Sequence, residues 1–392
     1  MRLALIGTGR MGTPIAARLR DAGHQLVVYD LEPEARQRMA AAGYEVAADA
    51  AAAAAGAAAV LLSLPDAAAV KAVVRELPQV ELLIDLTSSL PSVTRALGRR
   101  MVDAPVSGGV AGAEAGTLTA MVGGEVSELE AARPILEAFA SHIFHAGPSG
   151  SGHAAKALNN ALSAVALSAT SEAVAIGRYA GHRPEGVVKR LNAGIGRTQN
   201  SEVKFPRDIL TGAYSSGFGA GLMLKDVGIA TALAAERQIP IPLVALVGQL
   251  WTLVPGEEDF TRVYEVVAGW GSSPGSVRCD LDHFDLAVAA TCWLAARETV
   301  GVAEAEGLQR DRFLEIVNAG SGRSEATLHF ESGLGFGPRQ AVRALDAVRA
   351  VAAAGRHAVP VLDLAAELWR QSGGRAAGRA SPGPPEGGVP PC

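Results

Sequence analysis

The first chemistry the chain offers is a phosphate seat. Gly7, Thr8, Gly9, Arg10, Met11 and Gly12 form a Gly-x-Gly-x-x-Gly loop between the apolar run Leu3–Ile6 and a helix-like segment. The first glycine permits the tight turn, the second lets the backbone reach a pyrophosphate, and the third lets helix and strand pack closely. The helix N-terminus then faces the phosphates. Flavin, nucleotide-sugar and methyl-donor sites use similar loops. Asp30 follows Gly12 by 18 residues at the end of a second apolar run. A carboxylate there accepts hydrogen bonds from a ribose 2′-hydroxyl and repels a 2′-phosphate, which favours NAD over NADP. A helix cap is the other reading of Asp30. Proton chemistry points to lysine: the 35 basic residues include only five, Lys71, Lys156, Lys189, Lys204 and Lys225. The rest are Arg, which does not give up its proton.

These residues need a framework. Short apolar runs at Leu3–Ile6, Gln25–Tyr29, Val60–Leu64, Leu82–Asp85 and Leu118–Val122 alternate at first with helix-like segments. That alternation predicts a doubly wound parallel sheet with helices on its faces, a Rossmann α/β domain over residues 1–150. The Ala/Gly stretch Ala47–Ala59 reads as a plain helix. From Gly152 the strand signal stops and an all-α domain is expected. Arg190–Arg197 (RLNAGIGR) recurs as Ile316–Arg323 (IVNAGSGR), and Ile241–Trp251 as Val359–Trp369, at offsets of 126 and 118 residues. The all-α domain is therefore two tandem helical repeats, at 151–270 and 279–370, with a Gly/Ser/Pro linker at 271–278 and a disordered Gly/Pro tail at 371–392.

A net charge of −5 argues against a general nucleic-acid partner. The apolar stretch 154–180 holds Lys156, Asn159, Asn160 and Glu172, so it reads as a buried helix and no membrane partner is expected. Three late cysteines, Cys279, Cys292 and Cys392, form neither a disulfide framework nor a metal motif; no metal is expected, and a reducing cytoplasm is the default location.

Four segments in order resemble the β-hydroxyacid dehydrogenases, the group of 3-hydroxyisobutyrate dehydrogenase and tartronate semialdehyde reductase. They are GTGRMGTPIAARL at 7–19, DAPVSGGVAGAEAGTLTAMVGG at 103–124, GPSGSGHAAKALNN at 147–160 and LKDVGIA at 224–230. The resemblance covers residues 1–270. It implies that Ser107, Gly108 and Gly109 seat a substrate anion and that Lys156 is the catalytic general acid/base. It implies that Asn160, four residues on and on the same helix face, holds the substrate. Lys225 matches the family's second lysine, near substrate and nicotinamide, with Asp226 orienting its turn. Leu64, Pro65 and Ser88 match cofactor contacts, with Thr87 the neighbouring option for Ser88. The implied cofactor is NAD, and the implied partner a small anionic β-hydroxy acid or its semialdehyde or keto form.

Two departures stand out. The stretch from Ser88 to Asp103 is short, which predicts a trimmed helix. The doubled helical region resembles the layout of 6-phosphogluconate dehydrogenase instead. That relative carries a Glu after its His-Asn pair, where Ser163 stands here, so decarboxylation is not expected. In the second repeat, Asp282, Leu286 and Arg343 align with Lys156, Asn160 and Lys225. That copy is read as catalytically empty, packing on the first as a partner subunit would, in a monomer or a homodimer. Lys71, Lys189 and Lys204 read as solvated. An imine reductase and a non-catalytic NAD-binding protein are the alternatives.

Overall fold

A computed structural model describes residues 1–271 and 277–376, with side chains to residue 372. The N-terminal domain is one nine-stranded sheet. Its strands are β1 (Arg2–Ile6), β2 (Gln25–Tyr29), β3 (Glu45–Val46), β4 (Ala59–Leu62), β5 (Leu83–Asp85), β6 (Met101–Asp103), β7 (Val106–Ser107), β8 (Leu118–Gly123) and β9 (Ala140–Gly147). The order is β3-β2-β1-β4-β5-β6-β8-β7, with β9 on β8. The first six strands pair in parallel, whereas β8 runs antiparallel to β6 and β7. The central strands are apolar on both faces because helices cover both, as a parallel sheet requires.

The sequence reading differs in places. Between Ala47 and Ala59 only Ala50–Ala54 is helical, started by the Asp49 side chain accepting from Ala52 N–H. Gly56 then takes a positive φ of 69°, so propensity yields to the turn into β4. The short stretch after Ser88 forms a seven-residue helix, Pro91–Leu97. The final helix, Pro360–Ala376, runs past the residue-371 boundary given to the tail; residues 377–392 and linker residues 272–276 lie outside the described residues.

Two long helices form the axis of the all-α domain. The first, Ser151–Tyr179, is buried continuously to Gly177 and is rich in Ala and Ser, which lets neighbours approach on every side. The second, Leu281–Ala305, packs along it; it is long and apolar enough to cross a membrane, yet is mostly buried in the protein. Each starts a repeat whose later helices correspond: Pro184–Asn192 with Arg310–Ala319, Ala220–Glu236 with Pro338–Ala354, and Pro242–Trp251 with Pro360–Ala376.

The repeats interlock reciprocally. Thr198 and Ser324, 126 positions apart, pair as an isolated antiparallel bridge; Gln199 N–H donates to Arg323 and Glu325 N–H to Arg197. Glu172 on the first long helix accepts the N–H groups of Val361 and Leu362 at the start of the second repeat's last helix. Glu298, its counterpart, accepts those of Leu243 and Val244 in the first repeat. In both helices Pro fills the first position and the carboxylate takes the next two orphan donors. Each repeat thus caps a helix of the other.

Candidate active site

The glycine loop lies where β1 enters the helix Gly12–Asp21. Gly7 has φ +93°, and a Cβ on Gly12 would fall 2.0 Å from Gly7 O, so both turn and helix approach require glycine. A Cβ on Gly9 would meet nothing within 4 Å, and the helix start has no side-chain cap and no acid in its first turn. Open space before uncapped N–H groups fits a dinucleotide pyrophosphate. Asp30 closes the loop from the end of β2: its Oδ2 accepts from Thr8 N–H at 2.6 Å and from Thr8 Oγ1 at 3.2 Å. Its Oδ1 accepts from Glu32 N–H at 3.0 Å, a local turn before the helix Pro33–Ala41, whose N-cap is Glu32 and not Asp30. Arg36 is turned onto the carbonyls of Asp30 and Leu31.

The first long helix is set onto the sheet by Asp103 at the end of β6. One carboxylate oxygen accepts Gly150 N–H at 2.7 Å and the other His153 N–H at 2.9 Å. A Cβ on Gly152 would sit 2.2 Å from Met121 O, so only glycine lets the helix come this close. His153 lies 3.5 Å from Asp85, and all three side chains are buried. Burial disfavours the His153 charge, but the two carboxylates more than offset it and its pKa is raised. This anchoring fixes the helix phase.

That phase puts Lys156 Nζ 3.3 Å from Ser107 Oγ on β7. Lys156 is 6% exposed, and its pKa is lowered, chiefly by burial and further by Lys225, with Asp226 opposing. Gly108 and Gly109 follow Ser107 with positive φ, and a Cβ on Gly109 would meet nothing, leaving open space beside the hydroxyl. Asn160 lies one turn beyond Lys156; its Nδ2 donates to Asp226 Oδ2 at 2.6 Å, and its Oδ1 accepts from Asn159 Nδ2 at 3.1 Å. Asp226 is buried and its pKa is raised, by burial foremost. On the same helix Lys225 Nζ donates to Pro65 O at 3.3 Å and to Ser88 O at 3.5 Å. Thr87 Oγ1 accepts Leu64 N–H, tying the β4 and β5 ends together.

The residues named from sequence therefore form two connected groups. One is the glycine loop with Asp30; the other joins Ser107, Lys156, Asn160, Asp226 and Lys225 to Leu64–Pro65 and Ser88. Asp226 binds Asn160 rather than merely orienting the turn of Lys225. Lys204 is not solvated: it is half-buried over the Phe260 ring at 5.3 Å, and burial lowers its pKa. Lys71 and Lys189 are exposed. Sequence reasoning passed over three positions. Asp103 opens the DAPVSGG run, and its acid was the available signal. Asn159 and Ser321 had none, because their contact, Asn159 Nδ2 to Ser321 Oγ at 3.1 Å, spans the two repeats.

Comparison with known proteins agrees with this geometry. Residues 2–147 match the NAD binding domain of 6-phosphogluconate dehydrogenase, and residues 150–267 match the NAD-binding domain of NADP-dependent 3-hydroxyisobutyrate dehydrogenase. The mitochondrial 3-hydroxyisobutyrate dehydrogenase of Mus musculus is 33% identical over 67% of this chain and 86% of its own length. The NAD-dependent L-serine dehydrogenase of Pseudomonas aeruginosa is 36% identical over 68% of this chain and 96% of its own. The solved 3-hydroxyisobutyrate dehydrogenase of Mycobacterium tuberculosis, with L-serine, superposes with a TM-score of 0.64 at 31% identity, over 68% of this chain and 98% of that one. Plasmodium falciparum 6-phosphogluconate dehydrogenase shares the fold over 95% of this chain and 92% of its own, at a TM-score of 0.68 and 15% identity. The chain belongs to the β-hydroxyacid dehydrogenase family of NAD(P)-dependent oxidoreductases, in a form whose helical domain is doubled.

Proposed function

We propose that the chain oxidises the carbinol carbon of a small β-hydroxy acid to its semialdehyde or keto form, reversibly and with NAD. The bound nicotinamide supplies the hydride acceptor at C4. Ser107 Oγ and the backbone N–H groups of Gly108 and Gly109 seat the acid anion. Asn160 fixes the reacting oxygen. Lys156, neutral, takes the hydroxyl proton during oxidation; as ammonium it returns that proton during reduction. Lys225 holds the loops after β4 and β5 against the helical domain, where Leu64, Pro65 and Ser88 meet the cofactor.

One observation carries this reading: a buried lysine with a lowered pKa, 3.3 Å from the hydroxyl of the anion loop. Asp30 supports NAD, because its charge at the end of β2 repels a 2′-phosphate while Arg36, the neighbouring cation, is engaged on backbone carbonyls. The second repeat takes the place a partner subunit's helices would fill, so one site per chain is expected. Lys156→Ala tests the mechanism. With 3-hydroxyisobutyrate and L-serine as probes, kcat falls by about 10²- to 10⁴-fold while NAD binding persists. Unchanged turnover with intact cofactor binding would refute it.

A further inference from the structure

We infer that the second repeat sets the direction in which Asn160 presents its amide, through Asn159 as a positioning residue. The inference rests on the reading of Asn160 as a substrate contact. Its starting point is a backbone N–H, which can only donate. Gly322 N–H, in the second repeat, lies 3.0 Å from one end of the Asn159 amide, so that end is Oδ1. The other end, Nδ2, then donates to Ser321 Oγ and to Asn160 Oδ1, each at 3.1 Å. Asn160 is thereby left with its Nδ2 as donor, bound to Asp226 Oδ2 at 2.6 Å. Asn159 is fully buried and Asn160 is 3% exposed, so water does not substitute for the bond between them. The other oxygen of Asp226, Oδ1, is buried without a partner.

The relay belongs to this doubled architecture. At the counterpart position on the second long helix, Asp285 accepts N–H from Ile195 and Gly196 of the first repeat. The two long helices therefore read each other's glycine turns by the same geometry. Only Asn159 can pass a donor onward, because a carboxylate has none. With Asn159 in place, the free N–H of Asn160 faces a reacting oxygen in one orientation. Without it, the Asn160 amide is held by its single bond to Asp226 and its Oδ1 loses its buried donor.

A double-mutant cycle tests this. The probe is 3-hydroxyisobutyrate, and the readout is its dissociation constant in the complex with reduced dinucleotide, which stays measurable when turnover is lost. Asn159→Asp keeps the acceptor for Gly322 N–H, as Asp285 does for Gly196, but cannot donate to Asn160. Asn159→Leu removes both functions. Each weakens binding by about tenfold in the native chain and by less than about twofold in the Asn160→Ala background. Equal weakening in both backgrounds, or an Asn159→Asp chain that binds as the native one does, overturns the relay. Asn160→Ala binding as tightly as the native chain would instead overturn the role given to Asn160 itself.

Discussion

Replacing Glu172 by Gln should flatten the pH dependence of folding stability. Glu172 is fully buried and accepts two backbone N–H groups of the other repeat, at 2.9 Å each. Burial pushes its carboxyl from 4.5 up to about 8, and that of Glu298 from 4.5 up to about 7, against the backbone donors that favour the charge. A carboxyl whose folded midpoint is raised holds its proton more tightly in the folded state. Stability is therefore full below the unfolded midpoint and is lost as pH rises towards the folded one. At roughly 1.4 kcal/mol per pH unit, Glu172 withdraws about 5 kcal/mol and Glu298 about 3 kcal/mol over their full intervals. Urea unfolding followed by far-UV ellipticity at about pH 5.5, 7 and 8.5 reads the effect. Between the outer two values Glu172→Gln should lose about 3 kcal/mol less than the native chain, and adding Glu298→Gln should spare about 2 kcal/mol more. At about pH 5.5 each variant should lie close to the native chain in stability, because a protonated carboxyl, like an amide, presents one carbonyl acceptor to the two buried donors. A Glu172→Gln chain with the native pH slope would refute the reasoning: the carboxyl would then titrate alike folded and unfolded.

Two further outcomes follow from the site and its frame. Oxidation needs neutral Lys156, so its kcat/KM should rise with pH to a plateau, with a midpoint below the ordinary lysine value of 10.5; carbonyl reduction should fall through the same midpoint. A pH-independent rate in both directions would exclude Lys156 as the proton carrier. Glu306, whose side chain is wholly buried, pairs with Arg95 of the N-terminal domain and Arg237 of the first repeat. Arg95→Ala with Arg237→Ala strands that carboxylate and should cost about 3–5 kcal/mol. Glu306→Ala should cost less, about 1–2 kcal/mol, because both guanidinium groups reach water; thermal or urea unfolding of the double variant and of Glu306→Ala ranks them.

Legibility in the sequence followed the range of the interactions. The glycine loop and Asp30 could be read because strand, turn and helix start lie within one βαβ unit. Lys156 and Asn160 could be read because GPSGSGHAAKALNN resembles the family's segment, and their four-residue spacing puts both on one helix face. The repeats were visible in RLNAGIGR and IVNAGSGR, and those segments proved to be the turns that the two long helices bind. What pairing adds was not visible. Asp103 caps a helix 47 residues away, and Asn159 meets Gly322 across 163 residues; neither distance leaves a periodic trace. The Ala47–Ala59 stretch shows propensity overruled, since Gly56 and the demand for β4 cut the helix to Ala50–Ala54. Lys204, read as solvated because no motif gave it a role, is half-covered by Phe260, a contact that no local pattern announces.

The central claim is hydride transfer from the β-carbon to nicotinamide at the Lys156 site. The most direct measurement gives the chain β-deuterated 3-hydroxyisobutyrate and L-serine with NAD and analyses the dinucleotide product by NMR. Reduced dinucleotide should carry the substrate's deuterium at C4, formed by the native chain and slowed by about 10²-fold or more in Lys156→Ala. Reduced dinucleotide without deuterium at C4, or equal label transfer by Lys156→Ala, would contradict the claim.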